Sequence, residues 1–143
     1  KYNNLKAISD SLAWLLAEYL ATNPLPGEVL VPVPLHPERQ RKRGYNQSSL
    51  LARRLSKFTA LPVIEGSLIR RLNTPPQART ATAEARQQNV AGAFITCDRK
   101  LQGKQVLLID DVCTSGATLN SCAVALKAAG VVSVWGLTLA REI

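Results

Sequence analysis

Two adjacent acids followed by small hydroxyl-bearing residues form the pattern in this chain that is best suited to chemistry. Asp110 and Asp111 follow an apolar run at 106–109, and the segment 114–118 (Thr-Ser-Gly-Ala-Thr) comes shortly after. A carboxylate can accept hydrogen bonds from both hydroxyls of a vicinal diol such as that of ribose. Backbone N–H groups at a helix start attract phosphate, and Gly116 allows close backbone approach. The pattern therefore predicts a site for ribose 5-phosphate.

A simpler interpretation of the same residues stays open. Two acids at a strand end, followed by Thr-Ser-Gly, also suit an ordinary turn and a capped helix. Rival motifs do not match: a Walker loop needs Lys after its last Gly, where Ala117 stands. A nucleophile elbow needs Gly two residues before Ser115, where Cys113 stands. Cys113 is expected to fill space, since apolar neighbours raise the pKa of a thiol.

The elements around this segment predict an α/β fold with a parallel sheet. An apolar strand at 105–109 precedes a helix at 118–129, which Gly130 ends, and a β-branched run at 131–139 follows. Strand, helix and strand in this order form a βαβ unit. Ligands bind at the carboxyl edge of such sheets, so both acids are expected there. Trp135, in the last strand, is expected in the core.

The first half of the chain supplies the remaining predicted elements. Apolar residues from Leu5 to Tyr19 recur with helical spacing. Asn46 or Ser48 is a plausible cap for a second helix. The full set is a helix around 5–19, a strand at 29–33, a polar basic loop at 35–45, a helix from about 46, a strand at 68–71 and a long loop at 73–89.

Positive charge is concentrated in the predicted loop at 35–45. The chain has 18 Lys and Arg against 10 Asp and Glu, a net charge of +8. Such a balance favours an anionic partner, which could be nucleic acid, a membrane surface or a phosphorylated small molecule, or simply a basic surface. The loop contains Arg39, Arg41, Lys42 and Arg43 beside a single acid, Glu38. His36 stays open as either a ligand contact or a structural residue.

Length and composition predict one domain covering 1–143. The first residue is Lys, which suggests a C-terminal fragment of a longer protein. Three cysteines without CxxC spacing argue against a disulfide framework and favour a reducing, cytoplasmic setting. We expect no membrane partner, because the apolar runs are far shorter than the roughly 20 residues a membrane-spanning helix needs. The oligomeric state is not predicted.

Several motifs resemble a known family. The segment 106–118 resembles the ribose-phosphate motif of type I phosphoribosyltransferases: four apolar residues, two acids and a Thr-Ser-Gly-x-Thr loop. Further segments are similar to the ComF/GntX family, whose members usually carry an N-terminal cysteine-rich zinc module that is not seen in this sequence. These segments are Val31-Pro-Val-Pro-Leu-His36, Arg43-Gly-Tyr-Asn-Gln47, and Arg86-x-x-Asn89 before Gly92-Ala-Phe94.

The resemblance implies a type I phosphoribosyltransferase fold, with a parallel sheet and helices on both faces, that binds 5-phosphoribosyl-1-pyrophosphate (PRPP). Mg²⁺ would arrive with PRPP, and no residue is assigned as its ligand. The implied residues fall into four groups. They are the candidate catalytic residues Asp110, Asp111, Arg39 and Arg43; the ribose ligands Asp110 and Asp111; the 5′-phosphate loop Thr114, Ser115, Gly116, Ala117 and Thr118; and the flexible loop with Arg79, Arg86 and Asn89.

Two functions from different classes follow. The first is an enzyme that transfers the phosphoribosyl group of PRPP to a nitrogen acceptor. The alternative is a non-catalytic accessory protein of competence and DNA uptake, which senses PRPP or binds single-stranded DNA. The basic loop suits both functions, so charge does not discriminate between them. The intact acids and hydroxyl loop favour a working ligand site, whereas no residue identifies the acceptor.

Overall fold

The computed structural model describes residues 2–72, 82, 92–113 and 116–141. Within these ranges the chain forms nine elements, helices and strands intermixed along the chain. They are α1 (Tyr2–Thr22), β1 (Val29–Pro32), α2 (Pro37–Arg43), α3 (Gln47–Thr59), β2 (Leu68–Arg70), β3 (Phe94–Thr96), β4 (Gln105–Cys113), α4 (Ala117–Ala128) and β5 (Ser133–Arg141). No helix in these ranges combines the length and apolar character that crossing a bilayer requires.

A parallel sheet with the strand order β1-β4-β5 organises the molecule. β1 pairs with β4 from Val29↔Val106 to Pro32↔Ile109, and β4 pairs with β5 along nearly its whole length. A bridge from Leu30 to Val63 adds a short parallel segment on the outer side of β1. The predicted parallel sheet is confirmed. β2 and β3 form a separate antiparallel pair.

Side chains that alternate along the strands build a core on each face of the sheet, as the pleat requires. On one face Val31, Val106 and Leu108 pack with Leu126 of α4. On the other face Leu107 and Ile109 pack with residues of α1 and α3. Because both faces are covered, the middle strand β4 is apolar from Val106 to Ile109, immediately before the acids. The predicted arrangement of helices on both faces is therefore confirmed.

The predicted basic loop at 35–45 is wrong, because residues 37–43 form the short helix α2. Pro37 lies at its first position, where the missing N–H costs nothing. His36 caps the helix: its Nδ1 accepts a hydrogen bond from the Glu38 N–H at 3.2 Å. Gly44 ends the helix with a left-handed φ of 85°. His36 thus has a structural role, and the cations of this segment project from a helix.

Two further expectations need correction. β4 does not end at Ile109 but continues to Cys113, because β5 pairs with it as far as Arg141. Trp135 is 44% exposed and does not belong to the core. Its strand, β5, lies at the edge of the described sheet. Residues on such an edge strand are covered less than those of a central strand.

Candidate functional site

The two acids lie where the sheet becomes narrower. The last pair between β1 and β4 is Pro32↔Ile109, and the Val33 N–H still donates to the Ile109 carbonyl at 2.9 Å. Asp110 and Asp111 come next, where β5 continues beside β4 but β1 does not. This stepped carboxyl edge is the position at which open α/β sheets bind ligands. The acids thus lie within β4 near its carboxyl end, and not after the strand as predicted, while their role as ribose ligands stays a prediction.

Asp110 is held by two hydrogen bonds to one oxygen. Its Oδ1 accepts from the Ser48 hydroxyl of α3 at 3.0 Å and from the Asp111 N–H at 2.9 Å. Ser48 is buried, whereas Asp110 is half-buried. The carboxyl group therefore has a fixed orientation while it remains reachable from the edge of the sheet. Ser48 was considered from sequence only as a helix cap.

The surroundings of Asp110 favour its protonated form. Burial, then a hydrogen bond and like charge from the Asp111 carboxyl, raise the pKa of Asp110 to about 7. The hydrogen bonds from Ser48 and from the Asp111 N–H act in the opposite direction. At neutral pH the pair thus carries less than two full negative charges. A diol that donates hydrogen bonds to this pair would favour the charged form.

The start of α4 lies a few residues beyond the acids. Its cap residue, Gly116, has a left-handed φ of 81° and no side chain to accept a hydrogen bond from the first helical turn. A Cβ built at Gly116 would meet no described atom within 4 Å. Ala117 is buried and Thr118 is half-buried in the first turn. Such a helix start favours an anion.

The structure brings Arg39 to this end of the sheet together with Arg70, which sequence reasoning missed. Burial, and next the positive charge of Arg39, lower the pKa of Arg70. Arg70 stacks over Phe94, with its guanidinium carbon 5.3 Å from the ring centroid, and its Nε donates to the Leu72 carbonyl at 3.1 Å. A pair of guanidinium groups that repel one another suits a polyphosphate.

The pKa of the buried Cys122 thiol responds to the charges of both Asp110 and Arg70. Burial, and then the negative charge of Asp110, raise the pKa of Cys122, whereas Arg70 opposes this rise. Cys122 therefore lies close enough to both groups to feel their charges. Arg43, by contrast, is exposed at the end of α2, with its guanidinium carbon 6.0 Å from the centroid of the Tyr45 ring. Of the two predicted arginines, Arg39 is the one near Arg70.

Several predicted residues cannot be placed. Thr114 and Ser115 of the phosphate loop, and Arg79, Arg86 and Asn89 of the predicted flexible loop, lie outside the described residues. Their roles stay predictions. Among the residues that are described, no group of three or more His, Cys, Asp or Glu side chains could hold a metal ion.

Solved structures share this fold. A purine phosphoribosyltransferase from Pyrococcus horikoshii has a TM-score of 0.56 over 92% of this chain and 71% of its own, at 19% identity. The glutamine PRPP amidotransferase of Bacillus subtilis, complexed with ADP and GMP, has a TM-score of 0.63 over 94% of this chain and 26% of its own, also at 19% identity. At these identities the likeness shows the fold alone. The chain therefore has the fold of a type I phosphoribosyltransferase.

Sequence relatives define the family more closely, although no family model matches. Competence protein F of Haemophilus influenzae is 37% identical over 98% of this chain and 65% of its own length. Competence protein ComFC of Bacillus subtilis is 38% identical over 80% of this chain and 45% of its own length. DNA utilization protein YhgH of Escherichia coli K12 is 34% identical over 76% of this chain and 48% of its own length. The chain belongs to the ComF family of phosphoribosyltransferase-like proteins, and it spans between about half and two thirds of these relatives.

Proposed function

We propose that the stepped carboxyl edge binds PRPP. The ribose hydroxyls would donate to Asp110 and Asp111, and the 5′-phosphate would lie at the start of α4, which Gly116 begins. The observation that carries this proposal is the short distance along the chain between the two groups. β4 ends at Cys113 and α4 starts at Ala117, so only a few residues of chain separate the acids for a diol from the helix start for a phosphate. The diol of one ribose 5-phosphate would match the acids, and its phosphate would match the helix start.

The diphosphate of PRPP would point toward Arg39 and Arg70. Two nearby guanidiniums can neutralise charge that builds up on the leaving diphosphate. Mg²⁺ would arrive with PRPP, because the ion commonly keeps water and substrate phosphates as ligands. When bound, it would supply further positive charge at the diphosphate. No residue of this chain is assigned as its ligand.

The reaction that this binding mode supports is transfer of the phosphoribosyl group to a nitrogen acceptor. The bond from ribose C1 to the diphosphate oxygen breaks with its electron pair remaining on diphosphate. A bond from C1 to the acceptor nitrogen forms, and the acceptor gives up a proton to solvent or a base. Positive charge develops on the sugar, which the nearby acidic pair favours. No covalent intermediate with the protein is required.

Calorimetry with PRPP and Mg²⁺ tests the binding proposal. Asp111→Asn should weaken binding roughly 100-fold, because it removes a charged acceptor from the diol. Asp98→Asn is the matched control: Asp98 is exposed, and its Oδ1 accepts from the Lys100 N–H near the opposite end of β4. Equal affinity in the Asp111 variant and the wild type would remove the acidic pair from the site. Diphosphate release with a panel of nitrogen acceptors then tests turnover.

A second candidate function, binding of single-stranded DNA, is favoured by the exposed surface of α2. Arg41, Lys42 and Arg43 are exposed, and none forms an ion pair within the part of the chain that is described. Arg43 lies over Tyr45. Cations beside an aromatic ring suit the phosphates and bases of single strands. The names of the relatives, which refer to competence and DNA utilization, point in the same direction.

Fluorescence anisotropy with a single-stranded oligonucleotide tests this second candidate. Replacing Arg41, Lys42 and Arg43 by Gln should reduce affinity and lower the salt slope by about 2, if each cation contacts one phosphate. The control removes three exposed cations elsewhere, Lys57, Arg99 and Lys100, for the same change in net charge. Equal losses in both triple variants would mean that only total charge matters. Absence of binding at low salt would exclude the candidate.

A further inference from the structure

A chain of buried hydrogen bonds links the end of β1 to Asp110 through the start of α3. The Asn46 side-chain amide donates to the Val33 carbonyl at 3.1 Å, and its oxygen accepts from the Ser48 N–H at 3.1 Å. The Ser48 hydroxyl then donates to Asp110 Oδ1 at 3.0 Å. Asn46 is 8% exposed and Ser48 4% exposed. Residues 62 positions apart in sequence are thereby joined at the stepped edge.

The helix does not need the last of these bonds for its own stability. Asn46 alone caps α3, and the buried side chains of Leu51, Ala52 and Leu55 dock the helix on the sheet. The Ser48 hydroxyl is not required either to cap α3 or to dock it on the sheet, yet it is buried and donates to Asp110. The Ser48 hydroxyl and the Asp111 N–H both donate to Oδ1 of Asp110, and so restrict rotation of the Asp110 carboxyl group. This arrangement is what a ligand-binding carboxylate requires for preorganisation.

We propose that Ser48, held in place by Asn46, is a positioning residue that orients Asp110 toward the ribose hydroxyls. This inference rests on the proposed binding of PRPP. It adds a residue that does not touch the ligand but determines how the ligand-binding carboxylate is presented.

The charged and titratable groups around Asp110 make the role of Ser48 measurable. Asp111 lies next to it on β4, and Cys122 faces it from α4, while Arg70 of β2 acts on Cys122. The hydrogen bond from Ser48 favours the charged form of Asp110. Without that hydroxyl, the pKa of Asp110 should rise further above about 7. The carboxyl group would then be both less oriented and less charged at neutral pH.

Three variants test the inference. Ser48→Ala removes only the hydroxyl and adds no atoms, so it should fold. Ser48→Thr keeps a hydroxyl group and should therefore retain PRPP binding, provided that the added methyl group is accommodated. Ser49→Ala is the matched control, because Ser49 is the half-buried neighbour of Ser48 on α3 and no described hydrogen bond joins it to Asp110. Thermal melts establish that each protein is folded before binding is compared.

Two measurements decide between positioning and a merely structural role. Carbon-13 NMR follows the titration of Asp110 without ligand, and calorimetry measures PRPP affinity with Mg²⁺ at pH 7 and pH 8.5. Ser48→Ala should move the Asp110 titration to higher pH and weaken PRPP binding about tenfold at pH 7. Part of that loss should be recovered at pH 8.5. Ser49→Ala should match the wild type in both measurements.

The outcomes separate the two proposals. If the wild type binds PRPP and Ser48→Ala has the same affinity and the same Asp110 titration, the positioning role is wrong and the binding site stands. If the variant merely melts at lower temperature with both measurements unchanged, Ser48 is structural. If the wild type does not bind PRPP, the proposed function fails, and the ribose role of Ser48 fails with it.

Discussion

Helices α3 and α4 both begin near the stepped edge, but their first turns are finished differently. At α3 the Asn46 side chain accepts from the Ser48 N–H, and both residues are buried. At α4 the cap residue is Gly116, which has no side chain and a left-handed φ of 81°. The start of α3 is capped by the Asn46 side chain, and its Ser48 hydroxyl holds the Asp110 carboxyl group in place. The start of α4 carries no such side chain and leaves room for an anion.

The comparison shows that the open helix start costs little stability. Gly in place of Asn at a cap loses only a few tenths of a kcal/mol. α4 is held mainly by the buried side chains of Cys122 and Leu126, which pack into the core. The fold thus closes the start of α3 with the Asn46 side chain, whereas a glycine occupies the cap position of α4.

Asp110→Asn should make the folded protein more stable at neutral and higher pH. Because the pKa of Asp110 is raised from 3.8 to about 7, the folded protein loses stability as pH rises through that range. An amide does not titrate, so the variant should be more stable at pH 8 by about 4 kcal/mol, and the difference should vanish near pH 4. Urea unfolding at both pH values measures it. PRPP affinity should fall in the same variant.

Asp98→Asn provides the control of opposite sign. The hydrogen bond from the Lys100 N–H is the largest cause of the lowered pKa of Asp98, so this acid stabilises the fold at higher pH. Its amide variant should show no gain at pH 8. A gain of similar size in both variants would mean that lower charge, not the burial of Asp110, is responsible.

Asn46→Ala should lower the free energy of unfolding by about 3 kcal/mol. It removes the cap of α3, worth about 1 kcal/mol, and leaves the buried Val33 carbonyl without its donor. Asn46→Asp separates the two contributions, because it keeps the cap acceptor and loses the donor. Chemical denaturation measures both variants. If Asn46→Ala cost only a few tenths of a kcal/mol, the two hydrogen bonds of the Asn46 side chain would not stabilise the start of α3.

Gly116→Asp should close the start of α4 with a negative charge. PRPP affinity should fall roughly 30-fold, because the carboxylate would compete with the 5′-phosphate for the same helix start. Asp tolerates the left-handed backbone better than most residues do, and the space around Gly116 is open. Gly116→Asn, which has the same shape without the charge, should show a smaller loss. Unchanged affinity in both variants would place the phosphate elsewhere.

The smallest expected effect comes from Thr118→Val. This nearly isosteric change removes one hydroxyl from the first turn of α4 and should weaken PRPP binding about fivefold, as one hydrogen bond is worth about 1 kcal/mol. Thr22→Val, at the exposed end of α1, is the control. Calorimetry on both variants would show whether the hydroxyl of Thr118 contacts the phosphate.

The parts of the fold that were predicted correctly are those that local hydrophobic patterns indicate. The apolar run of β4, the spacing of α4 and the β-branched run of β5 are each visible within about ten residues. α2 was missed because it buries none of its residues, so no apolar stripe reveals it. Only Pro37 at its start and Gly44 at its end signal the helix, and these also occur in loops.

The two acids and Gly116 were predicted from sequence as site residues, and that role stays a prediction, whereas the contacts around Asp110 were not predicted. The contact between Ser48 and Asp110 depends on how α3 packs against the sheet, which no local pattern specifies. The same holds for the electrostatic interaction of Arg70 on β2 with Arg39 on α2, which are 31 positions apart in the sequence. The length of β4 likewise depends on its partner β5.

The early end of β1 also bears on whether a second copy of the chain could pair with β4. Beyond Pro32, one side of β4 is no longer covered by β1, and such a segment could recruit a strand from another molecule. Two neighbouring acids at 110 and 111 make that segment a poor template, since a second copy would bring the same charges against them. The residues proposed to hold a sugar would thus also discourage aggregation. Neutralising both should make the protein more prone to form intermolecular sheets.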